Sequence, residues 1–529
     1  MERVNAGAYD SGMLARSLSL SAVALLFSAH AAAQDCGCDH TIALSQNSAK
    51  GTDLGVKPGD VVCVEAGARP FLVLEEFVGS ASAPVVIKNC GGQVKIANSD
   101  KGYGLAINGS SFFHVTGTGD SSVKYGFDVS ASRTGPDYSG SGVPVGGLST
   151  DYELDHIEVH DTGFAGFILK TESRCDGSAN LGNFVQKNTH VHDTYVHDTG
   201  GEGFYVGSTG YGGRDFTCNG QTVKLYPHEH WGVSLHDNLI EDTGWDGLQV
   251  GVTPKDCKVF RNVIRGVGRT ATDMVQTRGI QIGGASACDV TDNYLEDGPT
   301  IGIFVLGAAN TLVQNNVVVD FAEDGIYGND QQLDAVKDAH YVFLHNTVVR
   351  AGDTGLSLFG DLIAGNAVVN NLFVENAKPY GIGGNVDATD QGNLELGKVS
   401  EAGFVSDAQR DYRLQEDSVA RDTGAVVSGF STDVDRDGVK RDAKPDVGAY
   451  EYTDAPPPDG GAPTGTGGTS SGTGGAGGKN AAADGSDDGG CGCRAAAPPA
   501  SGALVFFALA LLAAAGLRRR DLELRRFRR

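Results

Sequence analysis

Two carboxyl groups and a guanidinium occupy the same place in three copies of a recurring glycine-rich phrase. Glu202, Asp246 and Arg278 each stand directly before the glycine that opens the last strand of their copy. If the copies stack, the two carboxyls lie close together and their repulsion pushes their pKa values apart. One carboxyl can then protonate a leaving oxygen while the other activates water or attacks, which is the chemistry of acetal hydrolysis. We therefore predict that these three residues, called the charged ladder below, are catalytic.

Polar and aromatic residues beside the charged ladder could bind a sugar. Aromatic faces suit pyranose rings, while carboxylates and arginine suit hydroxyl or uronate groups. Three of the candidates alternate with apolar positions in the last strand of each copy, so we expect them to point outward. The predicted substrate-binding residues are Tyr205, Trp245, Gln249, Gln281 and His197.

A second reaction and a structural role compete with hydrolysis. In β-elimination of a uronate, a base takes the C5 proton and a cation neutralises the carboxylate. Arg278 could do either, and Lys170, Lys224 and Lys255 lie in or beside the inserted loops, but no lysine occurs in the ladder itself. Acidic residues before glycine are also common turn formers, so the ladder can equally be a solvated charged face.

Two short segments contain possible metal ligands. Asp433, Asp435 and Asp437 match the first half of a calcium loop, but Lys444 stands at position 12, which excludes an EF-hand and leaves a simpler Ca²⁺ turn. His228-Glu229-His230 offers zinc ligands without the helical i, i+4 spacing of zinc proteases. Ca²⁺ is the one cofactor that the sequence suggests.

The phrase that positions these residues has the form V-x-x-N-x-V-x-D-x-G-x-x-G-I-x-V-G and recurs from residue 154 to about residue 385. An asparagine column runs through it with spacings of 23 to 31 residues, as one coil of a parallel β-solenoid requires. An inward amide at a corner can bond the coils above and below, so we interpret the column as structural. Its members are Asn238, Asn262, Asn293, Asn316, Asn346 and Asn371.

These motifs resemble the right-handed parallel β-helix repeat proteins, the pectate lyase-like superfamily that includes polygalacturonases and alginate and chondroitin lyases. The segment VKPGDVVCVEAG resembles the N-terminal capping coils of that group, and DYRLQEDSVARDTGA resembles its last coil. The resemblance implies an all-β, single-stranded right-handed parallel β-helix of about ten coils. In lyases of the group the base is a lysine or arginine near Ca²⁺, and the closing coils often carry an acidic turn like the one at Asp433.

Eight cysteines before residue 300 are an even number, which favours disulfides in an exported protein. Cys257 and Cys288 stand at equivalent places in neighbouring copies, and Cys175 and Cys218 fall in insertions after consecutive copies. We predict a bridge within each of these pairs. The pairing of Cys36, Cys38, Cys63 and Cys90 stays open; Cys63 could pair with Cys90 or with Cys38.

Both ends of the chain have the composition of targeting segments. Residues 1–33 resemble a secretory signal, with a possible true start at Met13, and residues 34–453 form the predicted β-helix. Residues 454–490 are a Gly/Ser/Thr/Pro linker, and residues 491–529 combine Cys491 and Cys493, an apolar run and an arginine cluster. The last arrangement resembles myxobacterial C-terminal sorting signals, which implies anchoring at either cysteine; a plain membrane anchor is the alternative.

Composition and charge narrow the function classes. A formal net charge of −25 argues against nucleic acid as a partner. The sequence predicts a secreted protein, anchored at the cell surface and present as a monomer or a solenoid-type trimer. We expect it to cleave an extracellular polysaccharide as a hydrolase or lyase; the alternative is a non-catalytic glycan-binding adhesin or a structural surface protein.

Overall fold

The computed structural model describes residues 36–135, 139–270, 276–307, 309–330 and 339–454. The predicted signal peptide, the predicted linker beyond Asp454 and the predicted sorting segment with Cys491 and Cys493 lie outside the described residues. No helix within the described ranges is long and apolar enough to cross a membrane.

Short parallel strands form three stacks, and each turn of the chain contributes one strand to each stack where the coil is complete. The first stack contains His40–Ile42, Val61–Arg69, Val85–Asn98, Ser111–Thr116, Thr150–Asp155, Val185–His192, Glu229–His236, Lys255–Phe260, Cys288–Thr291, Thr311–Gln314, Tyr341–Leu344, Asn366–Val369 and Ala388–Gln391. The second stack contains Phe127–Ala131, Ile157–Thr162, Tyr195–Thr199, Leu239–Thr243, Val263–Arg265, Tyr294–Gly298, Val317–Phe321, Thr347–Val349, Leu372–Val374 and Leu394–Leu396. The third stack contains Ser48–Lys50, Leu72–Glu75, Leu105–Asn108, Val143–Gly146, Phe167–Leu169, Phe204–Gly207, Leu248–Gly251, Ile280–Ile282, Ile303–Leu306, Ile326–Asn329, Thr354–Phe359 and Lys378–Ile382.

The first two stacks belong to one 23-stranded sheet, because two long early strands run through both of them. The third stack is a separate 12-stranded sheet, so the described part of the chain makes twelve turns rather than about ten. The predicted all-β parallel helix is confirmed. The number of residues per turn that the repeat predicted is correct. The early turns lack the asparagine phrase, so the count of repeats did not include them.

Few elements lie outside the stacks. Two antiparallel hairpins pair Arg214–Cys218 with Gln221–Leu225 and Phe404–Ser406 with Asp411–Leu414. One α-helical turn spans Gly51–Leu54, and 3₁₀ turns span Val399–Glu401 and Asp407–Gln409. The first hairpin is an insertion between two turns of the helix and is the one that bears on the candidate site.

Apolar side chains from all three stacks fill the interior. In the third stack, Phe204, Val206, Leu248 and Val250 are completely buried and belong to one continuous apolar core. Because strand neighbours alternate between the two faces, the residues between them point away from that core. The inward and outward assignment made from the sequence is therefore correct for this stack.

The asparagine column is a continuous hydrogen-bonded ladder at the corner between the first two stacks. The Asn262 side-chain amide donates to Asn293 Oδ1 over 3.0 Å, and the Asn293 amide donates to Asn316 Oδ1 over 3.0 Å. Each amide also donates to a backbone carbonyl in the first-stack strand one turn earlier, as Asn293 does to Val259. The series extends from Asn238 to Asn393, so the structural interpretation is confirmed.

The aspartate of the recurring phrase lies near the end of each second-stack strand, and its backbone adopts the left-handed conformation. Short acidic side chains tolerate this conformation and can bond nearby backbone groups, which explains why aspartate recurs there. The aspartates with φ between 46° and 64° at this corner are Asp161, Asp198, Asp242, Asp297 and Asp320; Arg350 and Glu375 adopt the same conformation in later turns.

Four disulfides connect neighbouring turns and loops. Cys257–Cys288 and Cys175–Cys218 form as predicted, with Cα–Cα distances of 4.5 and 5.5 Å. At the N-terminal end the pairs are Cys36–Cys90 and Cys38–Cys63, so the second of the two open choices for Cys63 is correct.

Replacing a central ladder residue should destabilise the whole β-helix. Asn293→Ala removes the amide that joins three turns and leaves the buried backbone N–H of Asn262 and the Asn316 oxygen with fewer partners. Each buried group left without a partner costs about 1–3 kcal/mol, so we expect a loss of about 3 kcal/mol in unfolding free energy by urea denaturation. Asn385→Ala, in an exposed turn, is the control, and an equal effect of both changes would contradict the structural role.

Candidate functional site

The charged ladder lies at the entrance of the third stack, in three adjacent turns. Phe204 pairs with Leu248, and Leu248 pairs with Ile280. Backbone hydrogen bonds fix the residues before them, because Gly203 N donates to Asp246 O over 3.0 Å and Gly247 N donates to Arg278 O over 2.9 Å. The structure therefore brings Glu202, Asp246 and Arg278 together as predicted.

Both carboxyl groups of the ladder are completely buried. Burial, together with the neighbouring Asp246 charge, raises the pKa of Glu202 to about 8. Burial also raises the pKa of Asp246 to about 6, although the Arg278 charge and its backbone N–H, which donates to Asp246 Oδ1 over 2.8 Å, oppose the shift. At neutral pH, Glu202 is therefore mostly protonated and Asp246 mostly ionised.

A single amide joins Glu202 to the strand beside it. Gln276 Nε2 donates to Glu202 Oε1 and to Gln249 Oε1, each over 3.1 Å. The other carboxyl oxygens, Glu202 Oε2 and Asp246 Oδ2, are buried and have no hydrogen-bond partner among the described residues. Buried polar atoms normally find partners, so these two oxygens mark a site that the fold alone does not satisfy.

The predicted binding residues of the third stack form one column but not an open surface. Tyr205, Gln249 and Gln281 pair in register and stay outside the apolar core, yet their exposed fractions are only 8%, 0% and 7%. The sequence pattern indicated an exposed column; inserted segments that pack over the third stack bury it instead. An alternation with a period of two predicts the face of the strand on which a side chain lies. It does not predict whether another segment covers that face.

Lys170 joins this cluster, although the sequence placed no lysine in the ladder. It follows the strand Phe167–Leu169, which pairs with Phe204–Val206, and its Nζ lies 4.0 Å from the centre of the Tyr205 ring. Lys170 Nζ also contacts Glu172 Oε1 at 2.6 Å. Burial would raise the pKa of the Tyr205 phenol, but Lys170 and Arg214 outweigh it and lower that pKa.

The insertion at 208–230 holds the Tyr205 hydroxyl in place. This hydroxyl lies 3.1 Å from Thr209 Oγ1, which accepts a hydrogen bond from Arg214 over 2.7 Å. Arg214 opens the inserted hairpin, and the Cys175–Cys218 disulfide joins that hairpin to the preceding insertion. The predicted Cys175–Cys218 disulfide therefore connects the two insertions beside the candidate site.

The histidines of this insertion do not form the metal cluster considered from the sequence. His228 Nε2 accepts from Thr171 N over 3.2 Å while its Nδ1 faces Glu229 O, so both ring nitrogens have protein partners. His230 is completely buried, stacks on His228 and has a strongly lowered pKa because of burial. No metal-ligand group of three or more within the described ranges includes these residues.

Trp245 and His197 lie away from the column. Trp245 packs edge-on against Phe164 at the corner before the third stack, with ring centres 5.5 Å apart. His197 belongs to the second stack, in the other sheet, where it lies over His160 and contacts Glu158. The prediction that His197 shares the ladder site is therefore corrected, because it was based on sequence spacing across a corner.

An open groove precedes the charged ladder along each turn. It has a volume of about 540 Å³, and carboxylates from three turns and one arginine lie in its wall. Gly200, two residues before Glu202, lines it, and Thr270 bonds Gly200 O. Its charged lining residues are Asp161, Asp198, Asp242 and Arg269.

The acidic turn at Asp433 is built around one carboxylate. Asp435 accepts from the backbone N–H groups of Asp437, Val439 and Glu451. Asp433 is exposed, and Asp433, Asp435 and Asp437 are not among the metal-ligand groups found in the described ranges. The structure favours a hydrogen-bonded turn over the Ca²⁺ turn proposed from the sequence.

Comparisons with known proteins give one family match and several similar solved structures. A family model described as "Right handed beta helix region" matches residues 222–395, which supports the predicted handedness. Solved structures that resemble the chain include a pectate lyase (14% identity, covering 79% of this chain and 97% of that one, TM-score 0.39). An alginate lyase from Paenibacillus sp. str. FPU-7 has 15% identity, with 68% and 99% covered and a TM-score of 0.34. A periplasmic alginate epimerase double mutant has 13% identity, with 67% and 85% covered and a TM-score of 0.38. No curated protein matches.

Glu202→Gln should make the protein more stable at alkaline pH. The folded-state pKa of Glu202 is above its ordinary value, so the folded protein holds a proton that the unfolded chain releases, and stability falls as pH rises from about 4.5 to about 8. A neutral amide removes this loss. We expect the variant to gain on the order of 3 kcal/mol relative to the wild type between pH 5 and pH 8.

Urea denaturation at both pH values measures this gain. Glu395→Gln, which alters an exposed glutamate, is the control and should show the same difference from the wild type at both pH values. A Glu202→Gln difference that is equally independent of pH would show that Glu202 is ionised throughout.

Proposed function

We propose that this chain is a polysaccharide-cleaving enzyme and that its reaction is glycoside hydrolysis at the charged ladder. The observation that carries the proposal is the pair of adjacent buried carboxyls with separated pKa values, about 8 for Glu202 and about 6 for Asp246. Two carboxyls whose environments separate their pKa values are suited to the roles of acid and base in one reaction.

Hydrolysis assigns one role to each carboxyl. Glu202, protonated at neutral pH, donates its proton to the leaving glycosidic oxygen. Asp246, ionised at the same pH, activates water or attacks the anomeric carbon, and the Arg278 N–H holds one of its oxygens. The partner-free oxygens Glu202 Oε2 and Asp246 Oδ2 are the atoms available for these transfers.

The open groove supplies a path for an extended sugar chain. Its carboxylates and Arg269 can bond sugar hydroxyls, and Trp245 lies at the corner between the groove and the ladder. Gln276 spans Glu202 and Gln249.

β-Elimination is the second candidate, and the Lys170–Tyr205 contact favours it. Lys170 and Arg214 lower the pKa of the Tyr205 phenol. The ionised phenol can then act as the base that takes a C5 proton. A uronate carboxylate would be neutralised by the same cations. This candidate requires an acidic polysaccharide, whereas hydrolysis does not.

Export and attachment to the cell surface complete the proposal. Four disulfides are consistent with an oxidising compartment. Anchoring through Cys491 or Cys493 and the choice between monomer and trimer rest on the sequence alone.

The pH profile and two substitutions test the reaction. On a panel of neutral and uronate polysaccharides, we expect reducing ends without unsaturated products, and a bell-shaped kcat/KM with limbs near pH 6 and pH 8. Glu202→Gln and Asp246→Asn should each lower kcat by about 10²–10⁴-fold. Asp324→Asn changes the same position two turns beyond Arg278 and should retain activity.

Other products would identify the other candidates. Unsaturated ends that absorb ultraviolet light, lost in Tyr205→Phe, would establish elimination and contradict hydrolysis. No product from any polysaccharide, with binding retained by the Glu202→Gln, Asp246→Asn double variant, would contradict the enzyme and support an adhesin.

A further inference from the structure

A second cluster of titratable side chains lies on the first stack, in the sheet opposite to the charged ladder. His114 pairs in register with Glu153, and Asp155 pairs with His192 in the next turn. Positions two residues apart in a strand share a face, so Glu153 and Asp155 project together. Three adjacent turns thus present two carboxylates and two imidazoles on one patch of the outer surface, called the histidine patch below.

Three ligand atoms of the histidine patch converge. One atom from each of His114, Glu153 and Asp155 lies within 4.8 Å of the other two. His114 Nε2 contacts Asp155 Oδ2 and lies 4.0 Å from Glu153 Oε1, and His192 Nε2 is 2.9 Å from the same Glu153 oxygen. Two ligands held at about 2.1 Å from a tetrahedral metal are about 3.4 Å apart. The separation of His114 Nε2 and Glu153 Oε1 is near this value, whereas His114 Nε2 and Asp155 Oδ2 would have to move apart to admit an ion.

Neighbouring groups orient the ligand Asp155 and the adjacent His192. Asp155 Oδ1 accepts from Thr116 Oγ1 over 2.6 Å and lies 2.6 Å from His156 Nδ1, which leaves Oδ2 directed at His114. His192 Nδ1 lies 2.7 Å from Asp193 Oδ2, which directs Nε2 at Glu153. A histidine whose second nitrogen bonds a carboxylate is the usual outer arrangement of a protein metal site.

The histidine patch differs from the simpler histidine–carboxylate pairs nearby. His160 Nε2 bonds Asp128 at 2.9 Å and its Nδ1 bonds Asp161, and one proton satisfies each contact. In the patch, His114 Nε2 bonds Asp155 and lies 4.0 Å from Glu153 Oε1, which His192 Nε2 also approaches at 2.9 Å, so two imidazoles and two carboxylates meet at one place. A divalent cation bound there would balance two negative charges.

We propose that the histidine patch binds one divalent transition-metal ion through His114, Glu153 and Asp155, with His192 beside it. Imidazole and carboxylate ligands together favour Zn²⁺ over Ca²⁺, which prefers six to eight oxygens. Bound there, the ion joins consecutive turns of the β-helix. The site is independent of the proposed hydrolysis, since the charged ladder belongs to the other sheet.

Isothermal titration calorimetry of the EDTA-treated full chain with ZnCl₂ tests the site. We expect one Zn²⁺ per chain, and a visible absorption spectrum when Co²⁺ is used instead. His114→Gln and Asp155→Asn should each weaken Zn²⁺ binding at least tenfold. Glu153→Gln changes a more exposed ligand and provides a second test if either of the other variants fails to fold by circular dichroism.

His160→Gln is the matched control, because it removes an outward histidine that bonds carboxylates without a third converging ligand. It should bind Zn²⁺ like the wild type. Absence of saturable Zn²⁺ binding, equal binding by folded patch variants, or equal affinity for Ca²⁺ would overturn the proposal. Loss of Zn²⁺ binding with unchanged polysaccharide cleavage would support the site and its independence from the ladder.

Discussion

The fixed distance between stacked turns, about 4.8 Å, is the constraint on which the rest of this structure depends. Every position in a coil is repeated one turn later, so chemically identical side chains are forced into near contact. Asparagine tolerates this arrangement because its amide is both donor and acceptor: from Asn238 to Asn393 each side chain donates to the next. The ladder satisfies its own buried groups, and it also keeps neighbouring strands in register.

Carboxyl groups respond to the same constraint differently. Glu202 and Asp246 have no complementary donor and acceptor. Burial raises both pKa values, and the neighbouring Asp246 charge raises that of Glu202 further. Evidence for function therefore comes from the contrast between the two columns: the asparagines satisfy one another, whereas the carboxyl column has buried oxygens without partners among the described residues.

The repeat allowed the sequence to predict the stacking but not the covering of the stack. Register placed Glu202, Asp246 and Arg278 in adjacent turns, and two of four disulfides followed from equivalent positions. The burial of Tyr205 and Gln249 was not predictable, because insertions cover them and have no periodicity to reveal their path. Lys170 was missed as a member of the site for a related reason: it directly follows a strand, where the repeat pattern no longer specifies direction.

The histidine patch lies on the first stack, outside the sheet that contains the charged ladder. His114 stands before the asparagine phrase begins, in an early turn without the repeat signature, so no spacing connected it to Glu153 or Asp155. The fold brings them together across 39 to 41 residues. Both proposed sites depend on the same geometric rule. Adjacent carboxyls in register have raised pKa values where a cover excludes water, whereas imidazoles and carboxylates in register form the proposed cation site on the first stack.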